Sequence, residues 1–187
     1  MSDQPRGRYV GPYTILHSRP VYENAWIKVR EDRVSHRKGG ESLFGVVAMK
    51  PGVTVLPMEE NGDVHLVREF KYALGDYSLE AISGAMEGGE NPEQAGIREL
   101  VEECRLTASE WIDMGVINPF TTIIHSPNHL FLARGLSKDR QVRETEADLE
   151  IVTMPFDDAF YAVLRGQITH GASCAVILKA KVFLEKR

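Results

Sequence analysis

One short stretch, residues 84–106, constrains the fold of this 187-residue chain more than any other part of it. Its chemical groups have a fixed spacing: Gly84, five intervening residues, Glu90, seven intervening residues, and the run Arg98-Glu99-Leu100-Val101-Glu102-Glu103. Within this spacing, Asn91 is a good helix N-cap, Pro92 suits the first helical position, and Gln94 completes a capping box. The sequence therefore predicts a glycine-rich loop followed by a helix that begins near Pro92.

The predicted helix carries three carboxylates at close spacing. Its apolar stripe is formed by four residues, Ala95, Leu100, Val101 and Cys104. We expect Glu99, Glu102 and Glu103 to share the opposite side. Like charges at this spacing destabilise a helix by about 0.2 to 0.5 kcal/mol per pair, and the helix dipole disfavours negative charge in the last turn.

A divalent cation would relieve both penalties. Mg²⁺ prefers hard oxygen ligands and is usually held by one or two carboxylates together with substrate phosphate oxygens. The pattern therefore predicts a magnesium site in which Glu99 and Glu103 are the direct ligands. Arg98 would support them, because its fixed fork of donors can hold a carboxylate in place beside the cation. The alternative interpretation is a solvated acidic helix face, which is what most charged helix faces are.

Composition and charge exclude some classes of function. The net charge of −5 and the isoelectric point near 5.7 argue against a nucleic-acid partner, since such domains usually carry a basic patch. The two cysteines, Cys104 and Cys174, provide neither metal-ligand spacing nor a disulfide framework. We therefore expect a cytoplasmic enzyme with a small substrate. No signal peptide or membrane span is expected either.

Hydrophobic periodicity predicts an α/β fold. Strands are expected at 13–22, 25–34, 42–49, 53–59, 64–70, 77–83, 111–118, 130–133 and 149–154, and helices at 157–164 and 172–184 after the one near Pro92. The first three strands form a small antiparallel unit, and Asn61-Gly62 predicts a hairpin between the next two. We expect a strand-rich dimerisation segment at 1–49 and a catalytic domain at 50–187 that contains a mixed sheet with helices on its faces.

The spacing of residues 84–106 resembles the Nudix box. The box continues with a glycine and an aliphatic residue after its last glutamate; Leu106 fits this pattern and Arg105 departs from it. The resemblance implies a helix–mixed sheet–helix sandwich in which the loop and helix of the box form the active site. It also implies that the backbone carbonyl of Ser83, and Glu102, contribute to metal binding.

Nearly the whole chain resembles the ADP-ribose pyrophosphatase branch of that family. The resemblance rests on the stretches 21–27, 66–72, 79–84, 130–133 and 166–168. It implies a homodimer in which N-terminal strands are swapped between two subunits.

The branch resemblance also assigns substrate-binding residues. Lys71 stands where the branch commonly has arginine, so it supplies charge without a planar bidentate grip on phosphate. Glu80 belongs to the strand that enters the box. Trp26 is either a stacking partner for a nucleobase or an aromatic residue of a dimer core. Ile82 replaces a usual proline, so the resemblance does not specify how the adenine side of the pocket is built.

A further carboxylate is expected from a loop late in the chain. Family members use such a residue to bind another metal or to activate water, and this chain offers Glu146 as the first choice and Glu144 as the second. The alternative is a charged surface loop without a catalytic role.

The predicted activity is hydrolysis of the diphosphate bond of a nucleoside diphosphate sugar with Mg²⁺ or Mn²⁺, and ADP-ribose is the first candidate substrate, giving AMP and ribose 5-phosphate. Water is the nucleophile, and Glu146, Glu144, Glu102 and Arg98 are the candidate catalytic residues. The alternatives are a pyrophosphatase for GDP-mannose, NADH or a damaged nucleotide, and a non-catalytic nucleotide-sugar sensor.

Overall fold

Long strands near the N-terminus pair into one sheet in the computed structural model, which describes residues 8–139 and 149–186. The sheet comprises β1 (Arg8–Val10), β2 (Tyr13–Glu23), β3 (Ile27–His36), β4 (Glu41–Met49) and β10 (Ile124–His125), in that order. The first four strands are antiparallel, and β10 runs parallel to β4. Residues 8–50 and 120–126 form this unit. The predicted antiparallel unit is confirmed and gains two short strands.

The second unit, residues 51–119 and 127–186, contains a four-stranded mixed sheet. Its strands are β8 (Ile82–Ala85), β5 (Gly52–Pro57), β11 (Asn128–Lys138) and β9 (Leu106–Ile117), in that order. Only the β5–β11 pair is parallel. A parallel pair cannot be joined by a tight turn, and the chain between β5 and β11 accordingly supplies most of the site described below.

Helices cover both faces of this mixed sheet. Val53 and Val55 of β5 pack into the core that contains Leu100 of α1 (Pro92–Cys104). Leu56, on the other face of β5, packs into the core that contains Val176 of α3 (Gly171–Glu185). Because side chains alternate across a strand, one strand serves both cores. The predicted helix–mixed sheet–helix sandwich is confirmed.

A smaller sheet, ordered β12–β6–β7, completes this unit. It contains β12 (Glu150–Pro155), β6 (Asp63–Lys71) and β7 (Asp76–Glu80), and α2 (Phe156–Leu164) follows β12. All pairings within the sheet are antiparallel. None of the helices in the described part of the chain is long and apolar enough to cross a membrane.

The strands predicted at 53–59 and 64–70 are confirmed as β5 and β6, whereas the hairpin pairing between them and the single strand at 77–83 are wrong. Asn61-Gly62 does form a turn, with a φ of 90° at Gly62, but β5 and β6 share only the Met58–Val64 bridge and enter different sheets. Both edges of β5 are already occupied by β8 and β11, so no edge remains for β6. The strand predicted at 77–83 is likewise divided at Ala81, because β7 pairs with β6 whereas β8 pairs with β5.

Candidate active site

The box helix α1 begins where the sequence predicts. The Asn91 side chain accepts a hydrogen bond from Gln94 N, and the Gln94 side chain accepts one from Asn91 N, both at 2.9 Å. The C-cap, Arg105, has a φ of 54° and a ψ of 35°. It is the only residue other than glycine with a positive φ in the described ranges, which explains why glycine suits this position better.

Arg98 is the hub of the site. Its guanidinium donates to Glu90 Oε1 at 2.8 Å, to Glu99 Oε1 at 2.7 Å and to Glu102 Oε2 at 3.0 Å. It also donates to the backbone carbonyl of Ala85 at 3.0 Å. Hydrogen bonding to these carboxylates, Glu90 foremost, raises the pKa of Arg98 above its ordinary value. One side chain therefore joins the loop, strand β8 and three glutamates of the site.

Glu90 fixes the loop that enters the helix. Its Oε2 accepts from the backbone N–H of Glu87 at 2.9 Å, while its Oε1 accepts from Arg98. The hydrogen bond from Arg98, followed by that from Glu87, lowers the pKa of the Glu90 carboxyl. Glu90 was part of the predicted spacing but not of the predicted site residues. The spacing itself was the signal. A carboxylate in the loop before the helix can accept hydrogen bonds from both the loop backbone and an arginine of the helix, and we call this pairing of Glu90 with Arg98 the clamp.

Glu99 lies against a notch in strand β8. A Cβ atom placed on Gly84 would be 1.9 Å from Glu99 Oε1 and 2.5 Å from Oε2. Only glycine leaves room for that carboxylate, because real Cβ atoms do not approach a neighbour so closely. The requirement for Gly84 in the spacing therefore comes from the position of the Glu99 side chain.

The expected separation of acidic and apolar helix faces is wrong. Glu99 and Glu103 are both buried, with 8% of each residue exposed, on the side of α1 that also buries Leu100. Glu102 alone among the three carboxylates is turned outward, with 51% of its side chain exposed. Burial of the two glutamates leaves few water molecules around their carboxylates, which favours ion pairs and cation ligation.

Lys71 supplies positive charge to the same unit. Its Nζ pairs with Glu69 Oε2 and lies 3.7 Å from Glu80 Oε2. Partial burial works against the charged form, but the hydrogen bond to Glu69 and the charges of Glu80 and Glu103 outweigh it and raise the pKa of Lys71. Lys71 is therefore a fixed cation that interacts with a carboxylate of the box helix.

Glu80 is nearly inaccessible, with 5% of the residue exposed. It lies between Lys71 and His170, whose Nδ1 is 3.3 Å from Glu80 Oε2. Neither Glu69 nor His170 was among the predicted site residues. Glu69 could have been found, because it is two residues from Lys71 on one predicted strand and therefore shares its face. His170 gives no such signal, since only the packing of α3 brings it to Glu80.

The remaining predicted residues are distributed as follows. Ser83 pairs with Thr54 in the β8–β5 ladder, next to Gly84. Trp26 belongs to the N-terminal unit, where it is 72% exposed after a turn in which Asn24 accepts from Trp26 N at 2.9 Å. Glu144 and Glu146 lie outside the described residues. Substrate binding by Trp26 and metal binding by Ser83 stay predictions.

The two buried carboxylates of α1 fit a hard cation that completes its shell with water and phosphate. No group of three or more His, Cys, Asp or Glu side chains able to hold a metal occurs within residues 8–139 and 149–186. Mg²⁺ does not need such a cage, because one or two carboxylates plus substrate oxygens suffice. Glu99 and Glu103, one helical turn apart beside the Gly84 notch, are such a pair.

Two family models match the chain. One, described as the NUDIX domain, matches residues 48–172. The other, described as the nucleoside diphosphate sugar hydrolase N-terminal domain, matches residues 13–47. Together they account for the strand-rich N-terminal unit and for most of the unit that contains the box.

Curated relatives and a solved structure agree with these matches. An ADP-ribose pyrophosphatase from Mycobacterium tuberculosis is 27% identical over 169 residues, which cover 89% of this chain and 82% of that protein. An ADP-ribose pyrophosphatase from Bacillus subtilis is 31% identical over 151 residues, which cover 76% and 78%. The crystal structure of an ADP compounds hydrolase matches with a TM-score of 0.81 at 17% identity, covering 96% of this chain and 97% of that one. The last comparison shows the shared fold.

Proposed function

The chain belongs to the Nudix family, and on that premise we propose that it hydrolyses the diphosphate bond of a nucleoside diphosphate sugar, with ADP-ribose as the preferred substrate. The products would be AMP and ribose 5-phosphate. Support for the substrate class comes from the N-terminal family model and from the two curated relatives, both of which are named ADP-ribose pyrophosphatases.

The observation that carries this proposal is the placement of Glu99. Its carboxylate fills the notch at Gly84, is held by Arg98 at 2.7 Å, and lies one helical turn from the buried Glu103. Folding alone would not favour two buried carboxylates on one helix. A function that uses their negative charge explains the arrangement.

Nudix hydrolases generally use divalent metal ions, and we assign Mg²⁺, with Mn²⁺ as a substitute, to Glu99 and Glu103. Glu102 and the carbonyl of Ser83 are the secondary ligands of this proposal. When bound, the cation supplies charge neutralisation at the diphosphate and lowers the pKa of a water molecule. Arg98 orients Glu99 and Glu102 through hydrogen bonds to both.

Lys71 would bind the diphosphate. The nearby charges, among them that of Glu103, raise the pKa of Lys71 and keep it charged at neutral pH. Positioning and charge stabilisation account for most of the catalysis in phosphoryl transfer, so a site of fixed carboxylates and one ammonium group is sufficient. Glu146, or Glu144 in its place, would position or deprotonate the attacking water.

We also propose a cytoplasmic homodimer formed through residues 1–49, with 50–187 as the catalytic domain. In the described part of the N-terminal unit only Asp32 and Val34 are buried. Large apolar side chains are exposed instead, among them Val21, Leu43 and Met49. A sheet of this size needs a packed face to be stable, and the swapped strands of a second subunit would cover it.

Light scattering tests the dimer. The full chain should have the mass of two subunits, whereas removal of residues 1–49 should expose apolar surface and give aggregates or an inactive monomer. A soluble, fully active monomer lacking residues 1–49 would contradict both the dimer and a substrate role for Trp26.

The reaction is tested directly with ADP-ribose and Mg²⁺. AMP and ribose 5-phosphate should appear, activity should vanish with a chelator, and heavy-oxygen water should label a single product phosphate, with AMP the expected one. A parallel panel of GDP-mannose, NADH and oxidised nucleotides separates the alternatives. Cleavage of another substrate but not of ADP-ribose overturns the substrate assignment, and tight binding without cleavage favours the sensor.

A further inference from the structure

A row of polar side chains, centred on the buried Glu80, connects the first turn of α3 with Lys71. Glu80 Oε2 lies 3.3 Å from His170 Nδ1 and 3.7 Å from Lys71 Nζ. His170 Nδ1 is also 2.8 Å from Ser173 Oγ, and that hydroxyl accepts from the backbone N–H of Ala81 at 2.8 Å. These polar contacts therefore join β6, β7 and α3 at the point where the strand predicted at 77–83 is interrupted.

The hydrogen on His170 can be assigned from its neighbours. Nδ1 faces a carboxylate oxygen of Glu80 and the hydroxyl of Ser173. Hydrogen on Nε2 would leave the Ser173 hydroxyl to donate to Nδ1 and would direct the Nδ1 lone pair at that negative oxygen, whereas hydrogen on Nδ1 avoids this repulsion and is the arrangement we adopt. Burial, followed by the charge of Lys71, lowers the pKa of His170 despite the opposing effect of Glu80, so the ring is neutral. The result is a neutral histidine with hydrogen on Nδ1 and none on Nε2.

Lys71 needs such an anchor because of its place in the sheet. Glu80 pairs with Val67, four residues before Lys71 on β6. Lys71, Glu69 and Glu80 lie on one face of the sheet, since side chains alternate along both strands. The lysine side chain must therefore lie back along β6 to bring its Nζ to Glu80. A flexible four-carbon stem takes up one such position only when its far end is held.

We propose that His170 is a positioning residue for phosphate binding: by donating from Nδ1 it fixes Glu80, and Glu80 in turn holds the Lys71 ammonium group for the diphosphate. This rests on the proposed function, because Lys71 is its phosphate ligand. The step is a matter of orientation only, and no proton is transferred. It makes α3 part of the substrate site, although the box helix lies on the other face of the mixed sheet.

Two amide variants distinguish this role from simple packing. His170→Asn places its N–H₂ group near the position of Nδ1 and keeps the donor to Glu80. His170→Gln places its amide near the position of Nε2 and removes that donor. We expect KM for ADP-ribose to rise about 10-fold in His170→Gln with kcat within about threefold, which is the pattern of lost ground-state binding. His170→Asn should stay within about threefold of the native KM.

A double-mutant comparison tests whether the effect passes through Lys71. In a Lys71→Met background, His170→Gln should change KM little further, because the residue that it positions is gone. An equal rise in KM in both backgrounds overturns the proposal, as does equal behaviour of the Asn and Gln variants. Thermal unfolding of every variant identifies any rise in KM that is caused by a less stable fold.

A measurement without substrate separates failure of this inference from failure of the proposed function. Nitrogen-15 shifts of the histidine rings in the native protein should show one neutral ring with hydrogen on Nδ1, and its signals should be absent in His170→Asn. Hydrogen on Nε2 overturns the inference even if ADP-ribose is cleaved. If no nucleotide sugar is cleaved or bound, the proposed function fails while the ring assignment is still decided by the spectrum.

Discussion

Glu90, Arg98 and Glu99 come from one loop and one helix that follow each other in the chain, whereas Lys71, Glu80 and His170 come from three separated elements. The first group is locked by hydrogen bonds of 2.7 to 3.2 Å around a single guanidinium. The second group is held by longer contacts of 3.3 and 3.7 Å to one buried carboxylate. A site can thus combine a rigid local half with a half that depends on tertiary packing.

The largest expected effect tests the local half at its centre. Glu99→Gln or Glu103→Gln should reduce kcat at least about 100-fold, as loss of a main electrostatic stabiliser does. Thermal stability without metal should stay equal or rise in Glu103→Gln, because a negative charge is removed from the helix, and should fall in Glu99→Gln, because the charged hydrogen bond from Arg98 is lost. Steady-state kinetics and thermal melts measure both. Substantial activity in both variants would remove these residues from the site.

Gly84 and Gly88 allow a matched test of the notch. An alanine Cβ at Gly84 would collide with Glu99, whereas a Cβ at Gly88 meets nothing within 4 Å. Gly84→Ala should therefore lower kcat on the order of 10- to 100-fold through displacement of Glu99, within the cost of a misplaced catalytic group. Gly88→Ala should retain native kcat. Equal activity of the two variants would show that the position of Glu99 is unimportant.

Acid unfolding tests the clamp formed by Glu90 and Arg98. Because Arg98 and the Glu87 N–H lower the native pKa of Glu90 below its ordinary 4.5, the clamp stabilises the fold fully above that ordinary value. This contribution is lost as pH falls through the lower native pKa. Urea unfolding across acid pH should show a shallower decline for Glu90→Gln. The exposed Glu87 is the control, and Glu87→Gln should keep the native slope.

The smallest effect concerns the end of the box helix. Arg105 is left-handed, so Arg105→Gly should raise the free energy of unfolding by on the order of 1 kcal/mol. Arg105→Ala keeps the backbone strain and removes the side chain, so the Gly–Ala difference isolates the backbone contribution. Denaturant unfolding measures all three proteins. A clear loss of stability in Arg105→Gly would indicate that the Arg105 side chain makes a stabilising contact.

The same contrast explains which features the sequence could predict. The capping box at Asn91 depends on neighbours within one helix, so local chemistry was enough to predict it. The burial of Glu99 was missed because it depends on strand β8, which contributes the notch. The break at Ala81 was missed because it depends on which strands β7 and β8 pair with. The contact between Glu80 and His170 was missed because it requires α3, whose position no local pattern specifies.

Helical periodicity also gave the wrong positions for the charged side chains of α1. A glutamate is expected to face water, so Glu99 and Glu103 were assigned to the side opposite the apolar stripe. Arg98 changes this expectation for Glu99, because a buried carboxylate is tolerated when a hydrogen-bonded cation lies beside it. Residue type alone does not reveal such a pairing.

Arg98 also acts as a counterion that the chain carries for itself. Many small metal-binding domains fold only when the metal supplies the missing free energy. Here the guanidinium already neutralises charge on Glu90, Glu99 and Glu102. We therefore expect the chain to fold without a bound metal ion. In the proposed site a metal ion would share the Glu99 carboxylate with Arg98, and we expect Glu99 to bind it less tightly than an unpaired carboxylate would. With such a site, metal occupancy would follow the supply of substrate while the protein itself stays folded.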